Sequence, residues 1–145
     1  MNAVIVDTGP LVAYFDPADA DHARVHAWFA KSSKRYTLHS TEAVLTEASH
    51  MLSFDVARQI ACLEWSAQVM QLTHLAAHEM PRVTSWMRQY SQVPMDFADA
   101  TVLWLHRQLA NSSILTLDQR GFGVFRVVTG ASERARPKFA NVISL

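Results

Sequence analysis

The sequence predicts an α/β fold, a three-layer α/β/α sandwich around a mainly parallel central sheet. Three observations carry that expectation. Short β-branched runs alternate with longer segments of helical periodicity along the chain. Two of these runs, Val4-Ile5-Val6 and Ser113-Ile-Leu-Thr-Leu117, end directly in an aspartate, Asp7 and Asp118. Groups placed there lie beyond the carboxyl ends of the strands, where open parallel sheets gather ligands. One helix, opening at Pro94-Met95-Asp96-Phe97-Ala98-Asp99-Ala100, is apolar almost all round and so belongs in a core.

Taken in order, residues 4–6 form a buried strand. In the following Asp7-Thr8-Gly9-Pro10, Thr8 or Gly9 caps a brief helix over 11–15, with Pro10 in its first turn. Asp16-Pro17 stops that helix. The next, over 19–31, carries Val25, Trp28 and Phe29 on one side, and residues 36–39 make the second strand. Helices follow over 41–52 and 54–69, then a short strand over 70–75. A helix over 79–90 has Val83, Trp86, Met87 and Tyr90 as its apolar side. The buried helix spans 96–109, and the strand over 113–117 comes next. Residues 124–129 and 141–145 are expected as a closing pair of strands, with Ala131-Ser-Glu-Arg-Ala-Arg-Pro-Lys138 as their turn. No repeat, low-complexity stretch or linker divides the chain, so residues 1–145 are expected as a single domain.

Composition narrows the partners. Lys and Arg together number 13 against 13 acids, so no global field draws in nucleic acid, and any phosphate-binding surface is local. The single cysteine, Cys62, has no internal partner for a disulfide and lies in a helical pattern, which suits a reducing compartment. The N-terminal run has no basic region and is too short for a signal peptide, and no stretch reaches membrane-spanning length. The expectation is a soluble cytoplasmic protein.

The chemistry lies in the acids. If Asp96 is the N-cap, Asp99 is N3, and both stand where exposed N–H groups and the helix dipole favour negative charge. The pair is either a capping box in its aspartate form or part of a metal site. Glu47 is out of place in its helix. At 100° per residue it is flanked by Ala43, Val44 and Met51, opposite Glu42 and Ser49. Such a carboxylate needs a positive partner, which His50 or a metal ion could supply. Each acid also has a plainer role: Asp7 as a turn residue, Asp118 as the first position of a type I turn, Glu47 reaching solvent. Taken together, four or five carboxylates without matching cations repel one another, and Mg²⁺ or Mn²⁺ resolves that repulsion. Such a cluster suits water activation and charge stabilisation during phosphodiester cleavage.

The motifs Val-Ile-Val-Asp7-Thr8-Gly-Pro-Leu, Val44-Leu-Thr-Glu47-Ala, Pro-Met-Asp96-Phe-Ala-Asp99-Ala and Ile-Leu-Thr116-Leu-Asp118 resemble those of the PIN-domain ribonucleases. The likeness is strongest to the VapC-type toxins of bacterial toxin–antitoxin pairs, and order and spacing match over nearly the whole chain. The resemblance implies an α/β/α sandwich and an Mg²⁺- or Mn²⁺-dependent endoribonuclease that leaves a 5′-phosphate and a 3′-hydroxyl. It also implies a homodimer and a small antitoxin whose tail enters the acidic pocket. By position, Asp7, Glu47, Asp99 and Asp118 would be the catalytic metal site, with Asp96 an acid found in a subset of the family. Thr8 and Thr116 fall where hydroxyl residues support the carboxylates. Many members carry a further acid after the fourth aspartate, whereas this chain continues Gln119-Arg120-Gly121-Phe122. That departure leaves a second ion weakly held or brought with the RNA.

Other features weigh less. His22 with His26, and His74 with His78, are four apart on expected helices but lack a third ligand, which makes them surface or interface histidines. Trp86, Met87 and Trp104 read as core or dimer contacts. Arg120 and Arg126 could hold RNA phosphates, and Arg134, Arg136 and Lys138 read as a solvated turn. A haloacid-dehalogenase domain wants an acid where Gly9 stands, and a receiver domain wants a lysine late in the sheet. A catalytically silent PIN-like scaffold that binds RNA or protein would be expected to have lost its acids.

Overall fold

The computed structural model describes residues 2–32, 34–127, 138–143 and 145. Along the chain the strands are β1 (Asn2–Val6), β2 (Tyr36–Thr41), β3 (Met70–Thr73), β4 (Ser112–Leu115), β5 (Arg126–Val127), β6 (Lys138–Phe139) and β7 (Val142–Ile143). Five of them form one sheet in the order β3-β2-β1-β4-β7, every neighbouring pair parallel. Val4, Ile5 and Val6 are fully buried. That is the condition of a central strand covered on both faces, and it explains why β1 reads as a continuous apolar run rather than an alternating one.

The helices are α1 (Thr8–Phe15), α2 (His22–Ser32), α3 (Glu42–Met51), α4 (Val56–Val69), α5 (Met80–Gln89), α6 (Phe97–Gln108) and the short α7 (Gln119–Phe122). They flank the sheet, as the expected α/β class requires. α6 packs on β1, β2 and β4 and also meets α3 and α5, while α1 packs against α2, α3 and α4. Burial of Ala98 and of every residue from Ala100 to Arg107 fits the all-round apolar character of α6. An aromatic group of Tyr14, Phe15, Phe29 and Trp65 joins α1, α2 and α4, with ring centroids 5.0 Å apart for Tyr14 and Trp65.

The strand order places a switch point between β1 and β4. From β1 the chain moves outward through β2 to β3, then returns to the opposite side of β1 as β4. Val6 pairs with Leu115 there, so Asp7 and Thr116 leave adjacent strands side by side. Ligand sites of open α/β sheets form at such a crevice.

Several expectations are corrected. The two closing segments do not pair with each other: β7 joins the main sheet parallel to β4, and β5 pairs antiparallel with β6 in a separate ribbon. The hydrogen bond from the Ile114 N–H to the Asn141 carbonyl, 2.8 Å, locks that arrangement. The expected turn over 131–138, with Arg134 and Arg136, falls outside the described residues apart from Lys138 in β6. Asp7, not Thr8 or Gly9, is the N-cap of α1. Residues 16–21 are turns rather than the start of α2, held by Asp16 and Asp19 accepting from the Ala18 and Asp21 N–H groups. His74 precedes, and His78 lies in, a single 3₁₀ turn (Ala77–Glu79), so they are not a helical pair. Gln119 to Phe122, where no helix was expected, close into one short helical turn.

Candidate active site

Asp7 is the most buried of the predicted acids, 4% exposed. Its position is fixed by the switch point: its N–H donates to the Leu115 carbonyl (3.0 Å), continuing the β1–β4 ladder by one bond. Ser40 on β2 donates to the Val6 carbonyl (2.7 Å), holding the preceding residue from the other side. Thr116 Oγ1 donates to Asp7 Oδ2 at 2.7 Å and accepts from the Asp118 N–H at 2.9 Å. One hydroxyl thus ties the first and fourth acids together. Thr8 is different: its Oγ1 is buried without a partner, as is Asp7 Oδ1.

Asp96 and Asp99 form the full capping box. Asp96 Oδ1 accepts from the Asp99 N–H at 2.8 Å, and Asp99 Oδ2 accepts from the Asp96 N–H at 3.1 Å. The capping and site readings are not exclusive, because each carboxylate spends only one oxygen on the helix end. Thr101, one turn further, accepts or donates across 2.8 Å to Thr41, the N-cap of α3. This bond holds the start of α6 against the start of the helix that carries Glu47. Asp118 is exposed, and its Oδ1 accepts from the Gly121 N–H at 3.1 Å. It therefore performs the turn role as well. A Cβ at Gly121 would stand 2.7 Å from Asp118 Oδ2. Sequence reasoning missed Gly121, although Asp-x-x-Gly is a turn signal that could have exposed it.

The acids act on one another across this crevice. Burial pushes Asp7 up to about 6, against the lowering effect of the Thr116 hydrogen bond and the Thr8 N–H, with Asp118 and Asp96 adding repulsion. Burial pushes Glu47 up to about 7, helped by the charges of Asp96 and Asp7 and a hydrogen bond shared with Asp96. Asp99 rises to about 8 for the same first reason, followed by the charges of Asp7 and Asp96. Five acids from four separate stretches of chain thus share one electrostatic neighbourhood. They are not drawn into a finished cage: among the described residues no three His, Cys, Asp or Glu side chains stand ready to hold an ion. The donor set nevertheless suits a hard cation, being all oxygen, mutually repelling and carrying one buried, unpartnered carboxylate atom.

The remaining candidates separate from this group. Arg126 is exposed on β5, its N–H donating to the Tyr90 hydroxyl at 2.9 Å. Arg120 lies in α7, and its side chain is outside the described residues. His22 Nδ1 is 2.7 Å from the Ala13 carbonyl, and His26 stacks on Tyr14, which makes both packing residues. Trp104 is in the core, and Trp86 and Met87 pack against it.

A five-stranded parallel sheet flanked by helices in this order is a PIN-like α/β fold. Relatives bear this out. No protein-family model matches the chain. It is 28% identical over 130 residues to ribonuclease VapC26 of Mycobacterium tuberculosis, spanning 88% of this chain and 95% of that protein. Its fold matches that of VapC20 of Mycobacterium tuberculosis, a toxin that cleaves the sarcin-ricin loop, with a TM-score of 0.69 and 20% identity over 79% of this chain and 91% of that one. It also matches a chain of VapBC2 from Rickettsia felis, solved with a promoter DNA fragment, at a TM-score of 0.60 and 12% identity over 79% and 86%. Sequence and fold together bear out the resemblance to the VapC-type PIN-domain proteins.

Proposed function

We propose that the chain is an Mg²⁺- or Mn²⁺-dependent endoribonuclease, the toxin of a bacterial toxin–antitoxin pair. The observation that carries this reading is the mutual electrostatic influence of Asp7, Glu47, Asp96, Asp99 and Asp118, with three of them held well above ordinary carboxylate pKa values. Bringing carboxylates together without cations costs stability, and a structure that does so repeatedly is arranged for a ligand of opposite charge.

Asp7, Glu47, Asp99 and Asp118 would hold the ion, with Asp96 as a further or water-mediated ligand. When bound, the cation would stabilise charge developing on the scissile phosphate and ease loss of a proton from the attacking water. The chain's own residues supply the order. Thr116 fixes one oxygen of Asp7 and the backbone of Asp118, and the capping box fixes Asp99 against the end of α6. Water attacks the phosphorus in line, the bond to the 3′ oxygen breaks, and that oxygen takes a proton, giving a 5′-phosphate and a 3′-hydroxyl.

The partner reading follows the same relatives. VapBC2 is a toxin–antitoxin complex, which supports a small antitoxin here. Val56, Ile60 and Leu63 make an exposed apolar stripe on α4, with Phe54 beside it, 65% exposed. Such a stripe supports burial against protein, in a homodimer and in the antitoxin complex. No helix among the described residues is long and apolar enough to cross a membrane, and we place the activity in the cytoplasm. Digestion of total RNA by the purified chain with Mg²⁺ or Mn²⁺, beside Asp99→Asn, tests the activity. The variant should retain its fold and lose at least about 100-fold in rate, the scale of removing a charge-stabilising group. Undiminished cleavage by the variant refutes the assignment.

A further inference from the structure

Two cavities border the acids. One, of 440 Å³, is bounded by Ala43, Thr46, Glu47, His50, Asp96 and Phe97, within the about 300–1,000 Å³ typical of small-ligand sites. The other lies along Gln92, Val93, Pro94, Asp118 and Gly121. Each includes acids of the central group, so whatever occupies the cavities is continuous with whatever lies on the acids. Phe97 stands at the first of them, 43% exposed, in the residue next to the cap of α6. It also borders a further hollow that runs on toward His74 and Leu75. An exposed aromatic ring beside a set of carboxylates gains nothing from the core.

We propose that Phe97 is a stacking platform for one unpaired RNA base, that of a nucleotide flanking the scissile bond. The proposal rests on the ribonuclease reading and adds to it the subsite that holds the substrate. An RNA cut internally carries nucleotides on both sides of the cleaved bond, so a nucleotide beside the acids has the cavity at Phe97, Glu47 and Asp96 within its reach. Single-stranded RNA is held by stacking bases on aromatic side chains, with hydrogen bonds at their edges. The walls fit a base better than a backbone. Glu47 and Asp96 would repel a phosphate but can accept hydrogen bonds from ring and amino N–H groups. The ring of Phe97 has a face for any base, so this subsite favours unpaired over paired RNA more than one sequence over another.

The test is binding rather than cleavage. Short single-stranded RNA carrying 2-aminopurine is titrated with the full chain in Ca²⁺, in place of Mg²⁺ or Mn²⁺, and both quenching of the fluorescent base and anisotropy are read. Phe97→Ala should weaken binding about 10-fold and remove the quenching, in line with the loss of one stacked base. Phe97→Trp should keep both. Thermal melting of each variant checks the fold. Unchanged affinity in Phe97→Ala overturns the proposal, including the case in which that variant instead loses a protein partner. So does a Phe97→Leu variant that binds and quenches like wild type, because bulk rather than ring stacking then suffices. Phe97-dependent binding without any cleavage by the wild type supports the subsite and removes the ribonuclease reading. Cleavage with Phe97-independent binding does the reverse.

Discussion

Replacing Asp7 by Asn should stabilise the metal-free chain while destroying its response to divalent cations. Asp7 is 4% exposed, and its carboxyl is raised from 3.8 to about 6, chiefly by burial. Holding its charge in the fold above that pH costs about 3 kcal/mol. The sign follows from proton counting. Between 3.8 and about 6 the folded state binds more protons than the unfolded chain, so stability falls as pH rises through that window. The cost is fully present above it and absent below it. Asn keeps an oxygen to accept from Thr116 but gives a weaker hydrogen bond than a carboxylate, so a net gain of about 1–2 kcal/mol is expected near pH 8. For a domain of this size that amounts to a rise in Tm of roughly 3–8 °C. Near pH 4 the difference should vanish. Addition of Mn²⁺ should then raise the Tm of the wild type and leave Asp7→Asn unmoved, since only a folded state that binds the ion gains by linkage. The assay is thermal melting across pH, in chelator and in Mn²⁺. An Asp7→Asn variant that melts below wild type near pH 8 in chelator, or that gains as much from Mn²⁺, refutes the reasoning.

Thr116→Val removes the hydroxyl that serves both Asp7 and Asp118, and should cost about 1–3 kcal/mol in denaturant unfolding, with a clear loss of RNA cleavage. Gly121→Ala places a methyl group 2.7 Å from Asp118 Oδ2. Because Asp118 is exposed, its side chain should swing away, leaving stability within about 1 kcal/mol of wild type but weakening Mn²⁺ binding measured by calorimetry. His106 is buried and neutral, its Nδ1 2.7 Å from Ser112 Oγ, and burial lowers it from 6.5 to about 4. As pH falls through that window the unfolded chain takes up the proton first, so stability should drop by up to about 3 kcal/mol. His106→Gln should flatten that acid limb in melting experiments.

How far the sequence could be read depended on whether a feature was local. Strand β1 and helix α6 announce themselves because their burial is nearly complete, and complete burial leaves an uninterrupted apolar pattern. The acids after β1 and β4 could be found from chain position alone. That they are neighbours could not, since the pairing of Val6 with Leu115 belongs to the strand order rather than to either segment. The closing strands failed for the same reason. Two-residue strands carry too little pattern to name their partners, and β7 was drawn to β4 by a backbone hydrogen bond from Ile114 to Asn141 that has no signature in side-chain type. Phe97 escaped because a single aromatic in an apolar helix reads as core, and only its exposure in the fold shows otherwise.

The Asp96–Asp99 pair shows why a local motif can carry two meanings at once. A capping box asks each carboxylate for one acceptor oxygen, and both supply it here. A carboxylate has a second oxygen, and the second one decides function. Asp96 is exposed, and it raises Glu47, Asp7 and Asp99 through its charge. Asp99 is half-buried and is itself pushed upward, first by burial and then by the charges of Asp7 and Asp96. Helix capping therefore fixes where Asp99 stands, and the cost of its charge there is what a cation would relieve. Replacing Asp96 by Ser separates the two roles, because Ser caps as well as Asp but has no charge. The helix end should then keep its stability, to within about 0.5 kcal/mol, while Mn²⁺ affinity falls. Equal losses of both would mean that Asp96 acts on the ion only through the helix it caps.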